Sequence, residues 1–314
     1  MEYRKLISFG KNSFVISIPK NWIRQSKLKK GDLVYLSEDG SNLLLQPRQE
    51  KNDEEKEIVI EVDGKELKQL KREIIGAYIQ NYKTIHLKGA QIKDKAKDLQ
   101  AVIQHLVALE VMEQTSKEII AKDFLNIDSV SVKTVVRKID NIIRSMFEDC
   151  ENMLKEDTYE SINHRDSDVN KLTFLMFRIV RYGLENPSYM LKKFSLTSLE
   201  MLSLWWLSHE LESIADEIKR IARYLQSMTM EKKKQELYVA IFRRVRENYA
   251  KMIKAYHEQD IQVVHEVINT REEFMDVCEK FFNENRNIDG LALLMHRTKS
   301  LIVHINHLGR VLYQ

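Results

Sequence analysis

A chain of 314 residues with 43% hydrophobic and 31% charged side chains is too long for one ordinary core and has the make-up of a soluble, helix-rich protein of two or three domains. No apolar run approaches the ~20 residues of a membrane helix, no signal-peptide core is seen, and Cys150 and Cys278 lack zinc spacing. Membrane insertion, a disulfide framework and a cysteine zinc site are thus excluded, and a cytoplasmic location is expected. The net charge of +3 is unevenly placed: residues 1–30 set Arg4, Lys5, Lys11, Lys20, Arg24, Lys27, Lys29 and Lys30 against Glu2 alone, a local +7 that leaves −4 for the rest. A basic tip on a mildly acidic body is expected where one end meets a polyanion.

Residues 1–48 read as short strands and turns. Leu6 to Phe9 runs into the turn signal Gly10-Lys11-Asn12, and Ser13 to Ile18 follows as a strand. Pro19 fits the first position of a short helix carrying Trp22 and Ile23. Gly31-Asp32 turns the chain into Leu33 to Leu36, and Asp39-Gly40-Ser41 is a hairpin signal before Asn42 to Gln46. Four strands this short bury little core alone, so pairing with a second copy is the natural solution. Gly10, Ser17-Ile18-Pro19-Lys20-x-Trp22, Lys30-Gly31-Asp32 and Leu43-Leu44-Leu45-x-Pro47 together resemble the AbrB-type swapped-hairpin DNA-binding domain. The resemblance implies a two-chain β-barrel whose loops offer Arg4, Lys5, Lys11, Lys20 and Arg24 to DNA, mostly to phosphates. The competing reading is a dimerisation module with solvated lysines.

Residues 49–57 contain no apolar side chain and read as a linker. Residues 58–124 predict a small α/β domain: a strand from Ile58 to Val62, a helix from Lys65 to Asn81, a strand from Thr84 to Leu87, a helix from Asp94 to Val107, and a closing hairpin of Val111 to Thr115 with Glu118 to Lys122. It has no phosphate-cradling glycine loop and no nucleophile motif, and His86 and His105 read as ordinary partly buried histidines. A spacer and a small-ligand sensor both remain open.

From Asp128 onward one proline and three glycines occur in 187 residues, and the periodicity is helical. Ser131 to Lys155, Ser161 to Asn186 and Thr197 to Gln226 make one set of three helices (128–226), the last two separated at Glu185-Asn186-Pro187-Ser188. Glu231 to Gln259, Ile261 to Asn285 and Asp289 to Tyr313 make a second set (230–314), a repeat in pattern more than in residue identity. In 204–226, Leu211, Ile214, Ile218, Ile221 and Leu225 form one apolar stripe, with Glu212 and Asp216 side by side next to it. Trp205-Trp206 and Phe174, Met176 and Phe177 are expected in the core and between helices, and Lys232-Lys233-Lys234 as a solvated helix start.

Leu211-Glu212-Ser213-Ile214-Ala215-Asp216 followed by Ile221-Ala222 resembles the helix signature of PhoU, the helical regulator of phosphate uptake built as two three-helix repeats. The resemblance covers the whole region in layout and mainly the first set in motif. It implies that acids of a Glu/Asp-x-x-x-Asp motif hold metal. The first set offers Asp166, Glu212 and Asp216, with Asp168 assisting, although Asn170 stands where the motif has an acid. The second set offers Glu272 and Asp276; in its last helix Ser300 and His304 replace the motif's acids, with His304 either a ligand or a polar surface residue. Such faces would suit a divalent or iron-type ion. The alternative is acids on solvated helix faces, since pairs four apart arise roughly seven times by chance at this composition.

The expected fold class is therefore α+β multidomain: an N-terminal swapped-hairpin barrel, a small α/β unit, and a mainly α body of two PhoU-like repeats. The expected function is a dimeric DNA-binding regulator of phosphate uptake, an arrangement that looks most like archaeal PhoU-family proteins. The alternative is a non-DNA-binding interaction protein docking on a phosphate transporter ATPase or a sensor kinase. With no nucleophile–base pair, an enzyme is not expected.

Overall fold

The structure is a computed structural model describing residues 3–39, 42–47, 56–153 and 155–313. Residues 49–55 of the expected linker and the Gly40-Ser41 turn lie outside the described residues. The chain divides into two compact units, one of residues 1–53 with 186–197, the other of 54–185 with 198–314.

In the first unit, β1 (Ile7–Phe9) and β2 (Ser13–Val15) form an antiparallel hairpin turned at Gly10, whose φ of +71° lies in the left-handed region glycine favours. The second strand stops at Val15, short of the expected Ile18, because the chain straightens toward Pro19, extended at ψ 130° and standing just ahead of α1 (Lys20–Gln25) rather than as its first residue. The Lys30-Gly31-Asp32 turn is closed by the Asp32 carboxylate, which accepts from the Lys29 amide at 2.7 Å. β3 (Tyr35–Asp39) and β4 (Asn42–Gln46) make a second antiparallel hairpin. β3 starts two residues later than Leu33 and extends to Asp39, which pairs with Asn42. Each hairpin is its own two-stranded sheet. Pro187, expected only as a break, opens the helix α6 (Pro187–Phe194), since its fixed φ and missing N–H suit a first turn.

The second unit opens with a four-stranded sheet in the order β5-β6-β8-β7, where β5 is Glu57–Glu61, β6 Thr84–Lys88, β7 Leu109–Gln114 and β8 Glu118–Asp123. β5 and β6 are parallel, joined through α2 (Leu67–Ile79); the other pairings are antiparallel. α3 (Ile92–Gln104) ends three residues before the expected Val107, because the chain must turn through left-handed Ala108 into β7. Leu70, Ile74 and Tyr78 of α2 and Leu99 and Ile103 of α3 pack on Ile60, Ile85, Leu87, Ile119 and Ala121. Alternation then puts His86 on the opposite face, where it lies 3.0 Å from Glu118 and 3.7 Å from Glu57. Both His86 and His105 are partly buried, as expected. Gly89 turns the chain after β6; a Cβ there would sit 2.5 Å from Asp63 Oδ1, which accepts from the Gln91 amide while Oδ2 accepts from the Ala90 amide. Those two hydrogen bonds hold the Asp63 carboxyl below its ordinary range.

After a 3-10 turn at Ile127–Ser129, the helical elements of this unit are α4 (Val132–Asn152), α5 (Tyr159–Glu185), α7 (Ser198–Ser227), α8 (Lys232–Glu258), α9 (Ile261–Asn269), α10 (Arg271–Glu284) and α11 (Leu291–Arg310). α7 packs against α4, α5 and α11, and its stripe Leu204, Leu207, Leu211, Ile214, Ile218, Ile221 and Leu225 is buried along its length. Trp205 and Trp206 are not in that core: they lie 100–200° around the helix from Leu204, are 36% and 38% exposed, and Trp205 stacks on Phe177 at 4.2 Å. Met176 is buried as expected, and Phe174 packs against the sheet's core. The expected helix Ile261 to Asn285 is two helices, interrupted where the Thr270 hydroxyl donates to Val267 and accepts from Asn248.

One buried ion pair joins the sheet to α5. Arg178 donates two hydrogen bonds to Asp123, 2.8 and 2.6 Å, and a third to Asn81 at 3.0 Å, with its guanidinium 4.5 Å from the Tyr78 ring centre. Lys83 reaches the same carboxylate at 2.7 Å. Burial, only partly offset by Arg178, pushes the Tyr78 hydroxyl up to about 12.

Candidate nucleic-acid interface and carboxylate clusters

The five basic residues proposed for DNA are all exposed, and the local fold explains why. Arg4 and Lys5 precede β1, and Lys11 sits in the β1–β2 turn. Lys20 and Arg24 are one turn apart on α1, whose Trp22 and Ile23 are the half-buried side. The apolar residues of the same hairpins are bare as well. Phe9 and Phe14 are 69% and 65% exposed, and Leu6, Ile7, Leu36 and Leu43 are also exposed.

In the second unit, Asp166 on α5 and Glu212 and Asp216 on α7 come together across the helix–helix contact. A lysine ammonium stands among them: Lys219 Nζ is 2.5 Å from Asp166 Oδ2 and 3.3 Å from Asp216 Oδ1. Arg220 holds the other Asp216 oxygen at 2.5 Å, and Asn170 donates to Asp166 at 3.2 Å. Burial raises Asp166 despite Lys219, and burial followed by repulsion from Asp216 and Asp166 raises Glu212. Burial opposes the charge of Lys219, but the hydrogen bond and charge of Asp166, then Asp216, outweigh it and leave the lysine raised. The Asp166 and Asp216 oxygens thus answer an ammonium and a guanidinium, an ion-pair cluster beside Glu212. Asp168 is exposed on α5. Glu272 and Asp276 are both exposed on α10.

His304 is placed differently. Its Nδ1 lies 2.8 Å from Oε2 of Glu210 on α7, and His307 Nδ1 lies 3.3 Å from Oε1 of the same carboxylate. Among the described residues, Glu210, His304 and His307 are the group whose metal-ligand atoms lie within 4.8 Å of one another. Sequence reasoning singled out His304 but missed both companions. The three-residue spacing of the histidines was a signal; Glu210, two positions before Glu212 and so on another face, carried none.

Residues 7–53 match the family described as antidote-toxin recognition MazE, bacterial antitoxin. The N-terminus carries a MazE/AbrB-like domain. Such a domain suggests a DNA-binding or antitoxin-like regulator, and it fits oligomerisation. No curated protein and no solved structure matches the chain. No helix among the described residues is long and apolar enough to cross a membrane.

Proposed function

We propose that this chain is a dimeric DNA-binding regulator whose MazE/AbrB-like ends combine into one barrel and whose PhoU-like helical body adjusts how that barrel meets DNA. The observation that carries the reading is that exposed apolar residues and exposed cations share the N-terminal unit. Two separate hairpins leave Phe9, Phe14, Leu36 and Leu43 uncovered, a face that stays in water only at a cost of roughly 1.5–3 kcal/mol per large side chain. A second copy supplies the cover, and Arg4, Lys5, Lys11, Lys20 and Arg24 of both copies then flank one surface. Control of phosphate uptake is the process implied by the resemblance of the helical stripe to PhoU.

The test is binding of the full-length protein to its own upstream DNA across a salt series. With up to five phosphate contacts per copy, log affinity should fall steeply with log salt, by ~0.9 per contact. Changing Arg4 and Lys5 to Ala removes four charges per dimer and should flatten that slope by about 3–4. A dimer that binds no DNA, or whose slope is unchanged in the variant, would overturn the reading. It would favour a barrel that only dimerises, with the helical body docking on a transporter ATPase or sensor kinase.

A further inference from the structure

Glu210 is 3% exposed, in the seam where α7 packs on α11. A carboxylate this deep needs matching positive charge to offset its lost hydration. The Asp166 cluster has Lys219 and Arg220 for that purpose, whereas the ion-pair partners of Glu210 are two imidazoles of α11. His304 and His307, three residues apart, project from one face of one helical turn, their rings 5.9 Å apart and nearly perpendicular at 83°. Each meets a different oxygen of the one carboxylate, so the three side chains converge on a point.

The spacing approaches that of a coordination shell. Zinc-class bonds of ~2.0–2.2 Å at tetrahedral or octahedral angles put neighbouring ligand atoms about 2.8–3.6 Å apart. The carboxylate-to-imidazole separations are 2.8 and 3.3 Å, and all three ligand atoms fall within 4.8 Å. Side-chain rotation within the seam would bring one carboxylate oxygen and both nitrogens into a single shell. Both histidines are about one-quarter exposed, so the cluster opens to solvent on one side and leaves a coordination position for water.

We propose that Glu210, His304 and His307 form a binding site for one borderline divalent ion of the zinc class, clamping the last helix of the first three-helix set to the last helix of the second. Two imidazoles and one carboxylate suit zinc and its first-row neighbours and discriminate against magnesium and calcium, which take oxygen ligands. On binding, each Nδ1 gives its lone pair to the metal and its hydrogen bond to the carboxylate is lost: a neutral ring carries its proton on Nε2 instead, and a charged ring releases one proton to solvent. The site is independent of the DNA-binding reading: it would stand if the N-terminal domain bound no DNA.

The experiment is competition of EDTA-treated full-length protein against a chromophoric zinc chelator, followed by Co2+ substitution read in the visible spectrum. One equivalent of Zn2+ per chain is expected, at micromolar affinity or better, with a raised thermal midpoint. The double variant His304→Ala/His307→Ala should lose affinity by about 100-fold or more, together with the cobalt bands. Glu210→Gln keeps the side-chain shape and should bind at least ~10-fold more weakly, which guards against a misfolded double variant. Because the chain has nine histidines, His164→Ala/His257→Ala, both exposed, serves as the control and should bind like the parent. Absence of stoichiometric Zn2+ binding would overturn the proposal. So would binding that survives in both the double-histidine and Glu210→Gln variants, or that is lost in the control.

Discussion

Replacing Lys219 with Met tests whether the acids of α5 and α7 form an ion-pair cluster centred on that lysine. The variant keeps the length and apolar stem of the side chain and deletes its ammonium, 2.5 Å from Asp166 and 3.3 Å from Asp216. Breaking a fully buried pair costs about 3–5 kcal/mol. The side chains of Lys219 and Asp166 keep 17% and 7% of their accessibility, and Asn170 and Arg220 continue to serve the two carboxylates, so about 2–3 kcal/mol is expected. Burial already holds the folded-state pKa of Asp166 above its ordinary value, and Lys219 is the main opposing influence. Without the lysine that pKa rises further. A raised carboxylate pKa contributes stability that is present below the unfolded-state value and lost as pH rises through the folded-state value. The deficit should therefore be largest near pH 7.5 and shrink toward pH 4. Urea denaturation followed by far-UV circular dichroism at several pH values measures it. A variant within about 0.5 kcal/mol of the parent at pH 7.5, or a deficit independent of pH, would refute the reasoning.

Two further outcomes follow from other parts of the chain. Arg178→Met leaves the fully buried Asp123 carboxylate with Lys83 as its remaining cation; it should cost ~3–5 kcal/mol, and the double variant with Asp123→Leu should recover at least half of that. Equal losses in single and double variants, measured by urea denaturation, would show that the pair is not what joins the sheet to α5. Phe14→Asp places a charge on a residue that is 65% exposed in one chain, so the isolated chain should fold unchanged. If a second copy covers that face, analytical ultracentrifugation should show the dimer weakened by about 100-fold or more, since the lost burial and the desolvated charge act in both copies.

Much of the backbone was legible without any coordinates. The three-and-four spacing of Leu211, Ile214, Ile218, Ile221 and Leu225 specifies both a helix and the side of it that is buried, and α7 follows it. Gly10, Pro19 and the Lys30-Gly31-Asp32 turn mark the hairpins and short helix of the N-terminal unit because their backbone demands are local. The placement of Glu212 beside Asp216 was legible for the same reason. Where local rules compete, spacing alone misleads: Thr270 bonds its own helix backbone and splits a stretch whose apolar period runs straight through, and Trp205 and Trp206 look like core by composition but fall off the buried stripe.

Local residue spacing thus specifies which segments are helices or strands, which face each one buries, and that one end of the chain is basic. Helix packing sets which polar residues meet: Lys219 with Asp166, 53 positions away, Arg178 with Asp123, 55 away, and Glu210 with His304, 94 away. The reason is physical. A residue's place on its own helix is set by backbone geometry within a turn, whereas its partner across a helix contact depends on how far each helix rotates and slides as their apolar stripes interlock. That quantity belongs to the packed pair, and no local spacing contains it.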